Sequence, residues 1–101
     1  MLPAPVRDLR NLLNSYLEPE QVAIVLKAYE TGAEAHAGQK RRSGEDYIFH
    51  PIAVASILAG MRMDQQTIAA AILHDTIEDT PIERDDLVEN FGEDIAKLVD
   101  G

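Results

Sequence analysis

Val6, Leu9, Leu12, Leu13, Tyr16 and Leu17 fall at three- and four-residue steps, and the same step returns in almost every later segment. Residues at that spacing share one face of a helix, whereas a half-buried strand requires strict alternation. No alternating run occurs, so the chain is constrained to helices packed through apolar stripes, an all-α fold. The first helix is predicted from about Val6 to Leu17. Pro19 ends it and opens a second to about Ala37, with Val22, Val25, Leu26, Tyr29 and Ala33 as its stripe. Residues 38–49, GQKRRSGEDYIF, carry two glycines and five charges and read as a loop, with a short extended piece at Tyr47–Phe49. Pro51 suits the first turn of a third helix, PIAVASILAGM, which stops near Gly60. Asp64 is a good N-cap for a fourth, from Gln65 to about Asp79. Thr80-Pro81-Ile82-Glu83 has the spacing of a capping box with proline at its first helical position. It predicts a fifth helix to about Phe91, ended by Gly92, and GEDIAKLVDG starts a sixth.

A chain of 101 residues without a glycine- or serine-rich linker suits one small domain. The absence of cysteine removes disulfides and thiolate zinc sites and fits a reducing compartment. The start, MLPAPVRDLRNLL, has neither the basic nor the apolar region of a secretory signal. No apolar run approaches the roughly 18 residues of a membrane span, so a cytoplasmic protein is expected. The net charge of −9 argues against general attraction to nucleic acid or to an anionic membrane. Eleven acids between Asp64 and Asp100 face only Arg84 and Lys97, which makes Lys40-Arg41-Arg42 a local exception.

The apolar run Ile68–Leu73 gives way abruptly to His74, Asp75, Glu78 and Asp79. Acids are disfavoured at a helix C-terminus, where the macrodipole is negative. On a helix His74 neighbours Glu78, and Asp75 neighbours both Glu78 and Asp79, while His74 and Asp75 diverge by about 100°. An imidazole and a carboxylate beside one cleft are plausible ligands for a first-row metal, and a cation would relieve the repulsion among the acids. Two ligands are too few, and His50, just before Pro51, is a third candidate. Spacing alone leaves the alternatives open: a solvated acidic helix end, and a capping or core role for His50. His36 reads as a polar or cationic residue near a helix end, and Lys40-Arg41-Arg42 as a solvated loop. Ser43-Gly44 permits a tight turn that would let backbone approach a phosphate.

The segments AHAGQKRRSGEDYIFHP, AAAILHDTIEDT and ENFGEDIAKLVDG, in this order, resemble the N-terminal hydrolase domain of the RelA/SpoT family. These are bifunctional synthetase/hydrolases of guanosine penta- and tetraphosphate, and the domain belongs to the HD superfamily of metal-dependent phosphohydrolases. The resemblance covers nearly the whole chain, and the string RSGE-x-Y-x-x-HP together with LHD-x-x-ED is specific. It implies that His50, His74 and Asp75 ligate a manganese ion. It implies that Glu78 and Asp79 position or activate the attacking water. Arg41 and Arg42 fall where the family contacts the nucleotide, with Ser43 and Tyr47 completing that wall. A guanidinium suits both stacking on guanine and pairing with phosphate. Arg42 stands where the family often has lysine, and Asp46 where it often has proline, which should loosen the turn.

The implied reaction removes pyrophosphate from the ribose 3′ position of the alarmone, the step that ends a stringent response. The family's site is completed by a further aspartate downstream; Asp100 is not that residue. Residues 1–101 are therefore expected to be the N-terminal portion of the hydrolase domain, truncated on its C-terminal side, without synthetase or regulatory domains. Such a portion is expected to be inactive or nearly so by itself, and to self-associate through exposed apolar surface. Ile95, Leu98 and Val99 form a stripe on a last helix of barely two turns, which sharpens that expectation. The rival readings are another HD-type nucleotide phosphohydrolase and a non-catalytic helical interaction module.

Overall fold

The computed structural model describes residues 2–100; Met1 and Gly101 lie outside the described residues, and with Gly101 the expected end of the last helix. Among the described residues seven helices follow in order: α1 (Ala4–Asn14), α2 (Pro19–Ala35), α3 (Phe49–Gly60), α4 (Gln65–Leu73), α5 (Thr76–Asp79), α6 (Arg84–Phe91) and α7 (Glu93–Asp100). The all-α expectation holds, and the boundaries move where side chains compete for the backbone. α1 ends at Asn14 rather than Leu17, because Ser15 Oγ takes the Leu12 carbonyl at 2.5 Å. Tyr16, thereby freed from the helix, donates its hydroxyl to the Met63 carbonyl at 2.7 Å. α2 opens on Glu18, whose amide donates to Gln21 Oε1 at 2.9 Å, and it stops at Ala35 rather than Ala37.

α3 begins at Phe49, two residues before the expected proline, so Pro51 lies inside the first turn. Its missing N–H costs nothing there, since the first four amides of a helix lack partners inside it. The extended piece expected at Tyr47–Phe49 is absent; the sole bridge among the described residues pairs Lys40 with Asp46. Asp64 takes the N-cap position of α4, but its carboxylate accepts the Thr67 hydroxyl at 2.5 Å instead of a backbone amide.

The expected single helix from Gln65 to Asp79 is broken between Leu73 and Thr76. Thr76, fully buried, donates its hydroxyl at 2.7 Å to the Leu73 carbonyl, the group a continuous helix would give to the Ile77 amide. The box expected at Thr80-Pro81-Ile82-Glu83 also fails. Thr80 Oγ1 donates to the Thr76 carbonyl at 2.5 Å and accepts from the Ile82 amide at 3.2 Å. Glu83 caps α6 instead, its amide donating to Asp86 Oδ2 at 2.9 Å.

α4 is the centre of the fold, with α2, α3 and α7 packed around it; α1 lies on α3 and α2, and α6 on α7. Ile68, Ala69, Ile72 and Leu73 are each at most 1% exposed, which accounts for an apolar run on every side of this helix. α7 buries Ile95, Ala96 and Val99 better than its length foretold, while Leu98 is 50% exposed. Arg84 ties α6 to α7 through Glu93 at 2.8 Å and Asp100 at 3.4 Å. Val54, Ile57 and Met61 leave an exposed apolar face along α3. Among the described residues no helix is long and apolar enough to cross a membrane.

Candidate functional site

The loop after α2 closes as a small hairpin. Arg41 N–H donates to the Glu45 carbonyl and Gly44 N–H to the Arg41 carbonyl, both at 2.9 Å, and Tyr47 N–H reaches the Gln39 carbonyl at 3.0 Å. Gly44 makes the turn at φ 88°, a left-handed conformation that side chains disfavour. Asp46 does not loosen this turn: its carboxylate pairs with Lys40 Nζ at 2.5 Å across the bridge. Arg41, Arg42 and Ser43 stay exposed at the tip, where Ser43 Oγ accepts the Glu45 amide at 3.5 Å.

Below the tip, the half-buried Tyr47 is the meeting point. Its ring lies 4.7 Å from that of His36 and 6.2 Å, edge-on, from that of His50. Its hydroxyl donates to Asp75 Oδ2. Asp75 Oδ1 in turn lies 2.9 Å from His74 Nδ1. Asp75, at φ −93°, ψ −1° in the break between α4 and α5, turns its carboxylate to the hairpin. His50, His74 and Asp75 border one cleft of about 280 Å³, floored by Pro51, Val54 and Ala71. Glu78 and Asp79 stand exposed on the single turn α5 beside it.

Electrostatics follow this geometry. The Tyr47 hydrogen bond, helped by His74 and opposed by burial, holds the Asp75 carboxyl below its ordinary value of 3.8. The same bond, then burial and the charges of Asp75 and Asp79, push the Tyr47 phenol up to about 12 against the pull of Arg41. A depressed carboxylate stabilises the fold above its unfolded value, and that contribution disappears as pH falls through the folded value. A raised phenol stabilises below its unfolded value of 10.0, and its share is lost as pH rises through about 12. Tyr47→Phe should therefore lower the Tm by about 5 °C near neutral pH, a charged hydrogen bond discounted for partial exposure. The gap should close as pH falls through the depressed Asp75 value and the carboxylate is protonated. Thermal melts of both proteins across pH check this; a gap that persists in acid would mean the bond does not set the Asp75 charge.

His50, His74 and Asp75 are thus brought to one cleft, with Tyr47 against it and Arg41 acting on Tyr47 from the hairpin side. Arg42 and Ser43 are not part of the cleft lining among the described residues. Among the described residues, no three His, Asp or Glu side chains converge on a common ion position. The donor set of two imidazoles and a carboxylate nevertheless suits a first-row divalent cation, and His74 and Asp75 are held by hydrogen bonds to each other and to Tyr47. His36, read from sequence as a helix-end polar residue, is buried at 3% exposure. Its Nδ1 lies 3.0 Å from Gln39 Oε1, and Gln39 Nε2 donates to the Asp79 carbonyl at 3.0 Å. Sequence reading gave His36 only a polar helix-end role and did not single out Gln39, although both lie in the segment AHAGQKRRSGEDYIFHP.

A helical domain with this histidine–aspartate step at its centre has a counterpart: the HD domain family model matches residues 28–101, and the chain belongs to that family. Within the wider set of known proteins it is similar to the bifunctional (p)ppGpp synthase/hydrolase SpoT of Escherichia coli (strain K12), 48% identical over 94 residues. It is similar also to the guanosine-3′,5′-bis(diphosphate) 3′-pyrophosphohydrolase of Aquifex aeolicus (strain VF5), 49% identical over 94 residues. Both alignments cover 93% of this chain and 13% of the relative. A probable GTP pyrophosphokinase of Mycobacterium leprae is 51% identical over 80 residues, 79% of this chain and 10% of that protein. The chain therefore spans a small fraction of the length of the relatives it matches.

Proposed function

We propose that residues 1–101 are the N-terminal portion of a metal-dependent (p)ppGpp 3′-pyrophosphohydrolase domain in a cytoplasmic, stringent-response protein of the RelA/SpoT type. The observation that carries this reading is the shared cleft of His50, His74 and Asp75, with Tyr47 of the hairpin hydrogen-bonded to Asp75 at its edge. The relatives' names support the substrate.

His50, His74 and Asp75 would hold the cation, manganese by resemblance, with a further aspartate beyond residue 101 completing the set. A bound cation lowers the pKa of water and offsets charge on the phosphoryl oxygens. Tyr47 keeps Asp75 ionised and turned to the cleft, and His74, hydrogen-bonded through Nδ1, leaves Nε2 to face a ligand. Glu78 and Asp79 orient water. Arg41 and Arg42 bring positive charge to a nucleotide whose wall Ser43 and Tyr47 complete, which explains how a chain of net charge −9 handles an anionic substrate. Residues 1–101 alone are proposed to be inactive, and the Val54, Ile57, Met61 and Leu98 face supports self-association.

Manganese calorimetry and pyrophosphate release from the alarmone test the reading on three proteins: residues 1–101, a version extended through the downstream aspartate, and the extended His74→Ala variant. The extended protein should bind and hydrolyse, while the other two fail at one or both. Hydrolysis of other nucleotides in preference to the alarmone would favour a different HD-type phosphohydrolase. An extended protein that neither binds nor hydrolyses would favour the interaction-module reading.

A further inference from the structure

The His36–Gln39–Asp79 chain is fixed by elementary hydrogen-bond chemistry. A backbone carbonyl only accepts, so the Gln39 NH2 must face Asp79 and its Oε1 must face His36. That oxygen also only accepts, so His36 carries its proton on Nδ1. Nε2 is buried without a partner among the described residues, and a second proton there would be a buried donor with no acceptor. The geometry therefore puts a proton on Nδ1 of this ring. The turn that delivers Gln39 is local: its amide donates to the His36 carbonyl at 2.9 Å, and Gly38 between them takes φ 86°. The His36 ring also lies against Tyr47, which holds Asp75. One buried imidazole thus supports both the metal-ligand side of the cleft and the acidic turn.

We propose that His36 and Gln39 are positioning residues that clamp the α5 turn to the hairpin, keeping Glu78 and Asp79 in register with the cleft. This inference rests on the hydrolase reading above. Without the Gln39 bond, the Asp79 carbonyl at the end of a four-residue helix loses its tie to the hairpin, and the two carboxylates drift while Arg41 and the cleft stay in place. Misplacement of about 1 Å at such groups costs up to about a hundredfold in rate.

The test uses the full-length protein with manganese and the guanosine 3′,5′-bis(diphosphate) substrate. Gln39→Ala should lower kcat about 10- to 100-fold while leaving KM and Tm nearly unchanged. His36→Leu should fall as far. His36→Asn, whose amide supplies an N–H close to the position of Nδ1–H, should recover most of the rate. An unchanged kcat in Gln39→Ala, or His36→Asn no better than His36→Leu, overturns the proposal. Nitrogen NMR reads the bridge without turnover: His36 should be protonated on Nδ1, and Gln39→Ala should shift the Asp79 and Thr80 amides. An Nε2-protonated His36 overturns the bridge. A wild-type protein that does not hydrolyse the alarmone overturns the hydrolase reading instead, and the nitrogen shifts still decide whether the clamp exists.

Discussion

On the hydrolase reading proposed above, Asp75→Asn in the full-length protein should abolish manganese-dependent hydrolysis of the alarmone, by about a thousandfold or more, and leave the fold standing. The asparagine has the same shape, and its Oδ1 still offers Tyr47 an acceptor, so the hairpin keeps its contact with the α4–α5 break. What disappears is the negative charge. Of the three candidate ligands bordering the cleft, Asp75 alone carries a carboxylate. A cation held there supplies several kcal/mol of transition-state stabilisation, and about 4 kcal/mol corresponds to a thousandfold in rate. Calorimetry on the same variant should show metal affinity lost along with turnover. Glu78→Gln gives the contrast: turnover should fall while metal binding survives, because Glu78 stands outside that cleft on α5. If Asp75→Asn binds manganese as tightly as the wild type, Asp75 is not a ligand and the metal site must be sought elsewhere.

How much of this was legible in the sequence depended on how local the cause was. Periodicity located α1, α2, α3, α6, α7 and the start of α4 to within a few residues, because each buries a stripe repeating at the helical step. The break after Leu73 escaped it. The run His74 to Asp79 has no proline or glycine, and the interruption comes from Thr76 capturing the Leu73 carbonyl while Tyr47, 28 residues earlier, holds Asp75. Asp46 was misjudged for the same kind of reason: its partner Lys40 meets it only once the hairpin has closed. Within the candidate site, the His50, His74 and Asp75 grouping was readable from motif order, and the structure sets all three around one cleft. His36 and Gln39 were not readable. A histidine two residues from a glycine, at a helix end, looks solvated until the chain folds back over it. The motif residues therefore marked the cleft, and the buried contacts beneath the hairpin went unmarked.

The stability of that scaffold hangs on α4. Leu73→Ala should destabilise residues 1–101 by about 2–5 kcal/mol, the usual cost of a large-to-small change in a core that cannot collapse around the cavity. A small domain has only about 5–15 kcal/mol in total, so the Tm should fall by about 10–20 °C or more. Leu73 is fully buried on the helix that α2, α3 and α7 surround, and its carbonyl anchors Thr76, so the cavity opens directly beneath the His74-Asp75 step. Leu98→Ala is the control. Leu98 lies on the neighbouring α7 but is 50% exposed, and its truncation should cost less than about 1 kcal/mol in a monomer. Thermal melts followed by circular dichroism compare the two, at several protein concentrations. Equal losses would mean that Leu98 is not exposed in solution. If the Leu98→Ala loss also grew with concentration, the apolar face of α3 and α7 would be covered by a second copy of the chain, because only association makes a melting temperature depend on concentration.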